Sequence, residues 1–256
     1  MAVSAPADLR AVEPTSVPMA LAALHRELAP GACARVWLPP TTSPDHDREN
    51  CPTARDADWP FGRAPKGLLA DVLEGAGLSI SRRRSDRPTV VTRSWTLPDT
   101  TGPSMRLLVS GLNPSPAAAD HGIGFARPGN RFWPAALAAG LVSRDRDPDH
   151  ALAEHGVGMT DLVKRTTRRA EELSASEYRA GLRRLDRIVS WLGPAAVCFV
   201  GLAGWRAAHD GGARPGWQQA RVGDRPVYVM PSTSGLNASS SLDDLTDHLI
   251  AVVARL

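Results

Sequence analysis

Lysine is nearly missing from this chain. Lys66 and Lys164 are the only two, so arginine supplies almost all of the 30 basic residues. Cysteine is scarce as well. Cys33, Cys51 and Cys198 stand far apart with no C-x-x-C pair, which disfavours a disulfide framework, a structural zinc site and an iron–sulfur cluster. Cys198 falls inside the apolar run 195-AAVCFV-200 and reads as core. No apolar stretch approaches the roughly 20 residues that a membrane span needs. The N-terminal MAVSAPADLR also lacks the basic-then-apolar order of a secretory signal. A soluble, cytoplasmic protein is expected, monomeric by default and not bound to membranes. Neither sign of charge dominates: 27 acidic residues leave a net charge of +3, with a pI near 9.0. Such a balance is compatible with nucleic acid without arguing for it, and phosphate contacts would have to come from a local patch.

What is present is a core-forming composition, 43% hydrophobic, cut by 22 prolines and 22 glycines. The stretch 97-LPDTTGPS-104 reads as a boundary loop, dividing residues 1–100 from 105–256. In the first part, 17-VPMALAALHREL-28 has helical spacing, with Met19, Leu21, Leu24 and Leu28 on one face. A strand is predicted at 33–39, a helix ending on glycine at 66–77, and an antiparallel hairpin from 78-LSISRRR-84 and 89-TVVTRSW-95. The polar, proline-rich segment 40–65 reads as a loose loop. This order resembles the C-terminal half of a class I S-adenosylmethionine-dependent methyltransferase over residues 17–96. That family's glycine-rich cofactor loop has no counterpart, because residues 1–30 contain no glycine. A degenerate half-domain or docking module is expected, without bound cofactor.

The second part carries apolar runs at 105-MRLLVSG-111, 195-AAVCFVG-201 and 226-PVYVMP-231, interleaved with helical segments. In 176–193 an apolar stripe of Tyr178, Leu182, Leu185, Ile188, Val189 and Leu192 runs beside Arg179, Arg183, Arg184 and Arg187. A last helix is predicted over 241–256, from Ser/Asp start signals and Leu242, Leu245, Leu249, Val252 and Leu256. Alternating strands and helices imply a mostly parallel sheet covered on both faces.

Two loops follow predicted strands: 111-GLNPSPAAADHGIGFARPGNRFW-133 and 230-MPSTSGLNA-238. If the strands are parallel neighbours, both loops meet at one sheet edge, where ligands of α/β proteins sit. Taken alone, Asn113 could be an ordinary Asn-Pro turn, Phe125 a core plug and Leu236 a buried hairpin leucine. The basic run Lys164, Arg165, Arg168 and Arg169 could be a phosphate patch or a solvated face.

Together, GLNPS, GFARPGNRFW, GVGMTDLVKRTTRRAEELSASEYRAG and MPSTSGLNA resemble the mismatch-specific uracil-DNA and thymine-DNA glycosylases, the second family of the uracil-DNA glycosylase superfamily. The resemblance covers residues 105–256. It implies an α/β, three-layer glycosylase-like fold with a mostly parallel central sheet, to which the small N-terminal α/β half-domain is added. It implies a monofunctional DNA glycosylase of base excision repair that needs no metal, nucleotide cofactor or lysine Schiff base. Its partner would be double-stranded DNA containing G:U or related mismatches, which suits a nucleoid-associated protein. Asn113 would hold the attacking water; Leu112, Phe125 and Ser232 would line the base site. Ser234, Gly235, Leu236 and Asn237 would form the wedge and strand contacts that fill the vacated stack. The chain departs from the bacterial pattern NPSGLSR: Ser232 and Thr233 replace Asn-Pro, and Ala238 replaces the arginine. That departure keeps a second reading open, a damage-binding module with weak or no catalysis.

Overall fold

The computed structural model describes residues 6–39, 66–80 and 87–256. The segment expected to be a loose loop at 40–65, and most of the turn between the hairpin strands, lie outside the described residues. The N-terminal unit holds β1 (Ala7–Asp8), α1 (Val17–Glu27), β2 (Cys33–Trp37), α2 (Lys66–Gly75), β3 (Leu78–Ile80) and β4 (Thr89–Arg93). Its sheet is ordered β1-β2-β4-β3, with β3 and β4 antiparallel as the hairpin pattern predicts. The face of α1 is rotated from expectation. Pro18 at the first turn fixes the helix start, and Val17, Leu21, Ala22 and His25 go inward while Met19 is exposed.

The second unit continues with β5 (Leu107–Gly111), α3 (Pro116–His121), α4 (Phe132–Ala138), α5 (Pro148–His155), β6 (Val157–Asp161), α6 (Ala175–Leu192), β7 (Ala196–Val200), α7 (Leu202–Ala208), β8 (Gly216–Val222), β9 (Arg225–Met230) and α8 (Leu242–Val253). The sheet is ordered β6-β5-β7-β9-β8, parallel except for β8. Alternate residues of each strand serve opposite faces. Leu107, Val109, Ala196 and Cys198 join a core with α4, α5 and α8. Leu108, Val197 and Phe199 join another with α6 and α7. Burial pushes the Cys198 thiol up to about 12, as fits a core residue. Strand β5 lies between β6 and β7, so the chain leaves it first to one side and later returns on the other. That is the switch point at which a crevice opens beyond the strand ends.

Helix α6 begins at a capping box in which Ser174 and Glu177 satisfy each other's backbone N–H groups, and it ends at Gly193 in the left-handed conformation. It serves two cores. Tyr178, Leu185 and Val189 face the five-stranded sheet, while Ile188 and Trp191 complete the core of the N-terminal unit. A bidentate pair from Arg187 to Asp71, at 2.5 and 2.8 Å, ties α6 to α2.

The stretch 97–104 is a loop between the two units, as expected, but no free linker: Leu97 to Gly102 are buried, and Thr100 bridges Met159 on β6 through two 2.8 Å backbone bonds. Arg184, placed beside the apolar stripe by its spacing, is 1% exposed. The reason for both is Asp99, whose carboxylate accepts from Lys164 Nζ at 2.7 Å, Thr160 Oγ1 at 2.7 Å and Arg184 at 2.8 Å. Burial alone would raise the Asp99 carboxyl; the Lys164 and Arg184 cations outweigh it and hold the group below its usual range.

Candidate active site

At the crevice beyond β5 and β6, a cavity of about 390 Å³ is lined by Asn113, Phe125, Asp161, Ser232 and Leu236, among others. The loop after β5 is short because Ser115 caps α3 at once, its Oγ accepting from the Ala118 N–H at 3.2 Å. Asn113 is thereby fixed one step outside the sheet. Its Nδ2 donates to the Arg165 carbonyl at 3.0 Å and to Thr167 Oγ1 at 2.8 Å. Thr167 spends its own proton on the Arg169 carbonyl at 2.8 Å, so toward Asn113 it acts as acceptor. These two acceptors, with the Pro114 carbonyl at 3.2 Å as a third, fix which end of the amide is the NH2. Among the described residues Oδ1 has no hydrogen-bonded partner in the protein, leaving it an acceptor for a water or ligand. Thr167 was not singled out from the sequence; a hydroxyl in an arginine-rich stretch carries no signal until the fold brings it to Asn113.

Asp161 is the second residue the sequence reading missed. It ends β6, opposite Gly111 in register, and a Cβ at position 111 would collide with its carboxylate. Glycine there admits Asp161 to the cavity floor beside the Phe125 ring. The carboxyl is buried, and among the described residues Oδ2 has no hydrogen-bond partner. Burial raises it to about 6; Lys164 pulls it down, Asp99 pushes it up and Arg184 pulls it down again. A native pKa above the unfolded value of about 4 means the folded form keeps a proton that the unfolded chain has already released. Stability should therefore fall as pH rises from about 4 to about 6, by about 3 kcal/mol in all, and stay lower above that window. Asp161→Asn is expected to abolish this decline and to be the more stable protein at neutral pH, as urea unfolding across that range would measure.

Phe125 adopts a left-handed backbone, φ 58°, and its ring stacks on Phe132 with centroids 4.4 Å apart and planes 26° apart. Trp133 secures the same loop by donating to the Gly124 carbonyl at 2.8 Å. Leu112 contributes to the cavity wall, but its side chain lies against Gly204 of α7. On the far rim, the 232–240 loop raises Leu236 into solvent, 85% exposed. Gly235 is required there by close approach, since a Cβ would lie 2.8 Å from the Gly129 carbonyl; its φ is not in the left-handed region. Asn237 closes the loop from within, donating to the Ser232 carbonyl at 2.8 Å. Arg131 holds it from below through the Ser240, Ser234 and Asn237 carbonyls. Ser232 and Ala238 are exposed, Ser234 half-buried.

The basic run divides. Lys164 is 6% exposed and committed to Asp99, so it is removed from the phosphate contacts. Arg165 is engaged by Glu177 at 2.7 Å and by the Glu172 carbonyl at 2.7 Å. Arg168 and Arg169 stay exposed on the cavity rim, with Arg127 on another part of it. Among the described residues no group of three or more His, Cys, Asp or Glu could hold a metal ion, and no helix is long and apolar enough to cross a membrane.

A ligand cavity at the switch point of a mostly parallel sheet, with an oriented amide, an aromatic face and an apolar finger on its rim, belongs to the α/β enzymes that act at strand ends. Residues 98–256, more than half of the chain, match the family model described as the Uracil DNA glycosylase superfamily, and the chain belongs to that superfamily. It is accordingly a DNA N-glycosylase, a hydrolase of DNA repair that acts on uracil.

Proposed function

We propose that the protein removes uracil from mismatched double-stranded DNA, flipping the nucleotide into the cavity and directing a water held by Asn113 at C1′. The observation that carries this reading is the Asn113 amide, whose NH2 is fixed by Arg165 and Thr167 while its oxygen has no partner among the described residues. An amide orients water but is no general base, so the reaction depends on a base that leaves readily. Phe125 offers a face for the flipped ring, which gives affinity without identity. Identity is assigned to Asp161, whose carboxylate at the cavity floor can accept from the N3–H of uracil, whereas the N3 lone pair of cytosine would oppose it. Ser232 and Ser234 suit contacts to the DNA strand, and Arg168, Arg169 and Arg127 suit phosphates around the mouth. The protein is read as acting alone, as a monomer.

Leu236 is assigned to the gap left by the flipped base. Leu236→Ala is expected to slow excision from a G:U duplex about tenfold while sparing single-stranded uracil, because only the duplex must be unstacked. The decisive assay for the function is single-turnover release of uracil from a labelled G:U duplex, read as alkali-cleavable abasic product. Specific binding to the duplex without product at enzyme excess would replace this reading by a damage-binding module. The exposed Ala238, which supplies no contact where an arginine would, favours that alternative.

A further inference from the structure

The segment that fixes Asn113 is itself held by the N-terminal unit. Residues 164–167 alternate in what they touch. Arg165 and Thr167 accept from the Asn113 amide. The Lys164 carbonyl accepts from Thr96 Oγ1 at 2.5 Å, and Thr166 Oγ1 donates to the Trp95 carbonyl at 2.9 Å. Trp95 and Thr96 lie in turn on the end of α2. Ser94 N–H donates to the Gly77 carbonyl at 2.9 Å and Asp99 N–H to the Gly75 carbonyl at 2.8 Å. Thr96 is buried, its methyl close enough to Gly77 that a Cβ there would stand 2.6 Å away. The family match begins at residue 98, so Trp95, Thr96 and α2 lie outside it.

We infer that the N-terminal unit is a positioning part of the active site: through Thr96 and Trp95 it sets where the Arg165 carbonyl and Thr167 hydroxyl hold Asn113, and so sets the rate of base excision. This rests on the proposed role of Asn113. Thr96 and Thr166 are positioning residues and touch no reacting atom. Misplacing a reactive group by about 1 Å can cost about a hundredfold in rate, far more than loss of one hydrogen bond would be expected to cost in binding. The unit's effect should therefore appear in the chemical step and not in affinity for DNA.

The test uses the full chain carrying Thr96→Val, Thr96→Ser or Thr166→Val, each with Asn113 intact and with Asn113→Ala. Single-turnover excision at saturating protein and affinity for the G:U duplex are measured separately. Thr96→Val is expected to slow excision about tenfold with duplex affinity unchanged, and Thr96→Ser, which keeps the hydroxyl, to restore the rate. In the Asn113→Ala background the same change should cost less than about twofold, since no amide remains to be positioned. Thr166→Val, at the half-buried side of the seam, decides the matter if Thr96→Val does not fold. Wild-type rates in the valine variants, or equal losses in both backgrounds, would overturn the inference while leaving Asn113 in its role. Undiminished excision by Asn113→Ala would instead refute the role of Asn113 and this inference with it.

Discussion

Asn113→Ala is expected to lower single-turnover excision of uracil from a G:U duplex by about a hundredfold or more, with little change in duplex affinity. The loss should fall on the chemical step because the amide's contribution is orientation. Arg165 and Thr167 have already fixed its NH2 end, so the oxygen meets water with no rearrangement to make at the moment of reaction. Asn113→Asp is the informative companion. A carboxylate can draw a proton from the water, but it has no N–H to give the Arg165 carbonyl. A faster Asp variant would show that the amide limits the wild-type rate, while a slower one would show that the acceptors around the NH2 matter more than basicity. Equal rates for wild type and Asn113→Ala would remove Asn113 from the chemistry.

Asp99→Ala is expected to destabilise the fold by about 3–5 kcal/mol, the cost of leaving buried cations without their counter-charge. Lys164 and Arg184 are both enclosed and both paired with this carboxylate. Because the folded Asp99 carboxyl is held below its ordinary range, its contribution is fully present above the unfolded value near pH 4 and is lost as pH falls through the folded value. Acid unfolding that shifts upward in pH when a neighbouring cation is removed would confirm the coupling. A urea midpoint for Asp99→Ala equal to that of wild type would contradict it. The Asp161 effect runs the other way and at higher pH, so the two carboxyls can be separated in one titration of stability.

The loops at the strand ends were legible in the sequence because each follows an apolar run that forms a parallel strand. Alone, an Asn-Pro after an apolar run reads as a turn and a Gly-Leu among serines as a loop tip; it is the ordered set of motifs around them that singles out Asn113 and Leu236. The parallel β5, β7 and β9 were legible from apolar runs, whereas β6 was not: 157-VGMTD-161 is five residues with a glycine inside, and its burial comes from neighbours on both faces. Asp161 went unread with it. The basic run misled for a different reason. Arg and Lys look alike whether they face solvent or a carboxylate, and the partner of Lys164 and Arg184 lies many residues upstream, within a stretch whose prolines and glycines imitate a linker. Arg131 is a similar case; what it holds, the carbonyls of the 232–240 loop, has no side-chain signature at all.

The strip from Leu97 to Gly102 has a consequence for solubility. β6 is an outer strand of the five-stranded sheet, paired on one side with β5. On its other side Met159 exchanges both backbone bonds with Thr100, and Met105 fills the space over Gly158. The strip therefore blunts a sheet margin that would otherwise offer free N–H and C=O groups to another molecule. Cutting the chain at residue 105 would uncover that margin, and the shortened protein would be prone to join edge to edge and aggregate even if its remaining core were intact.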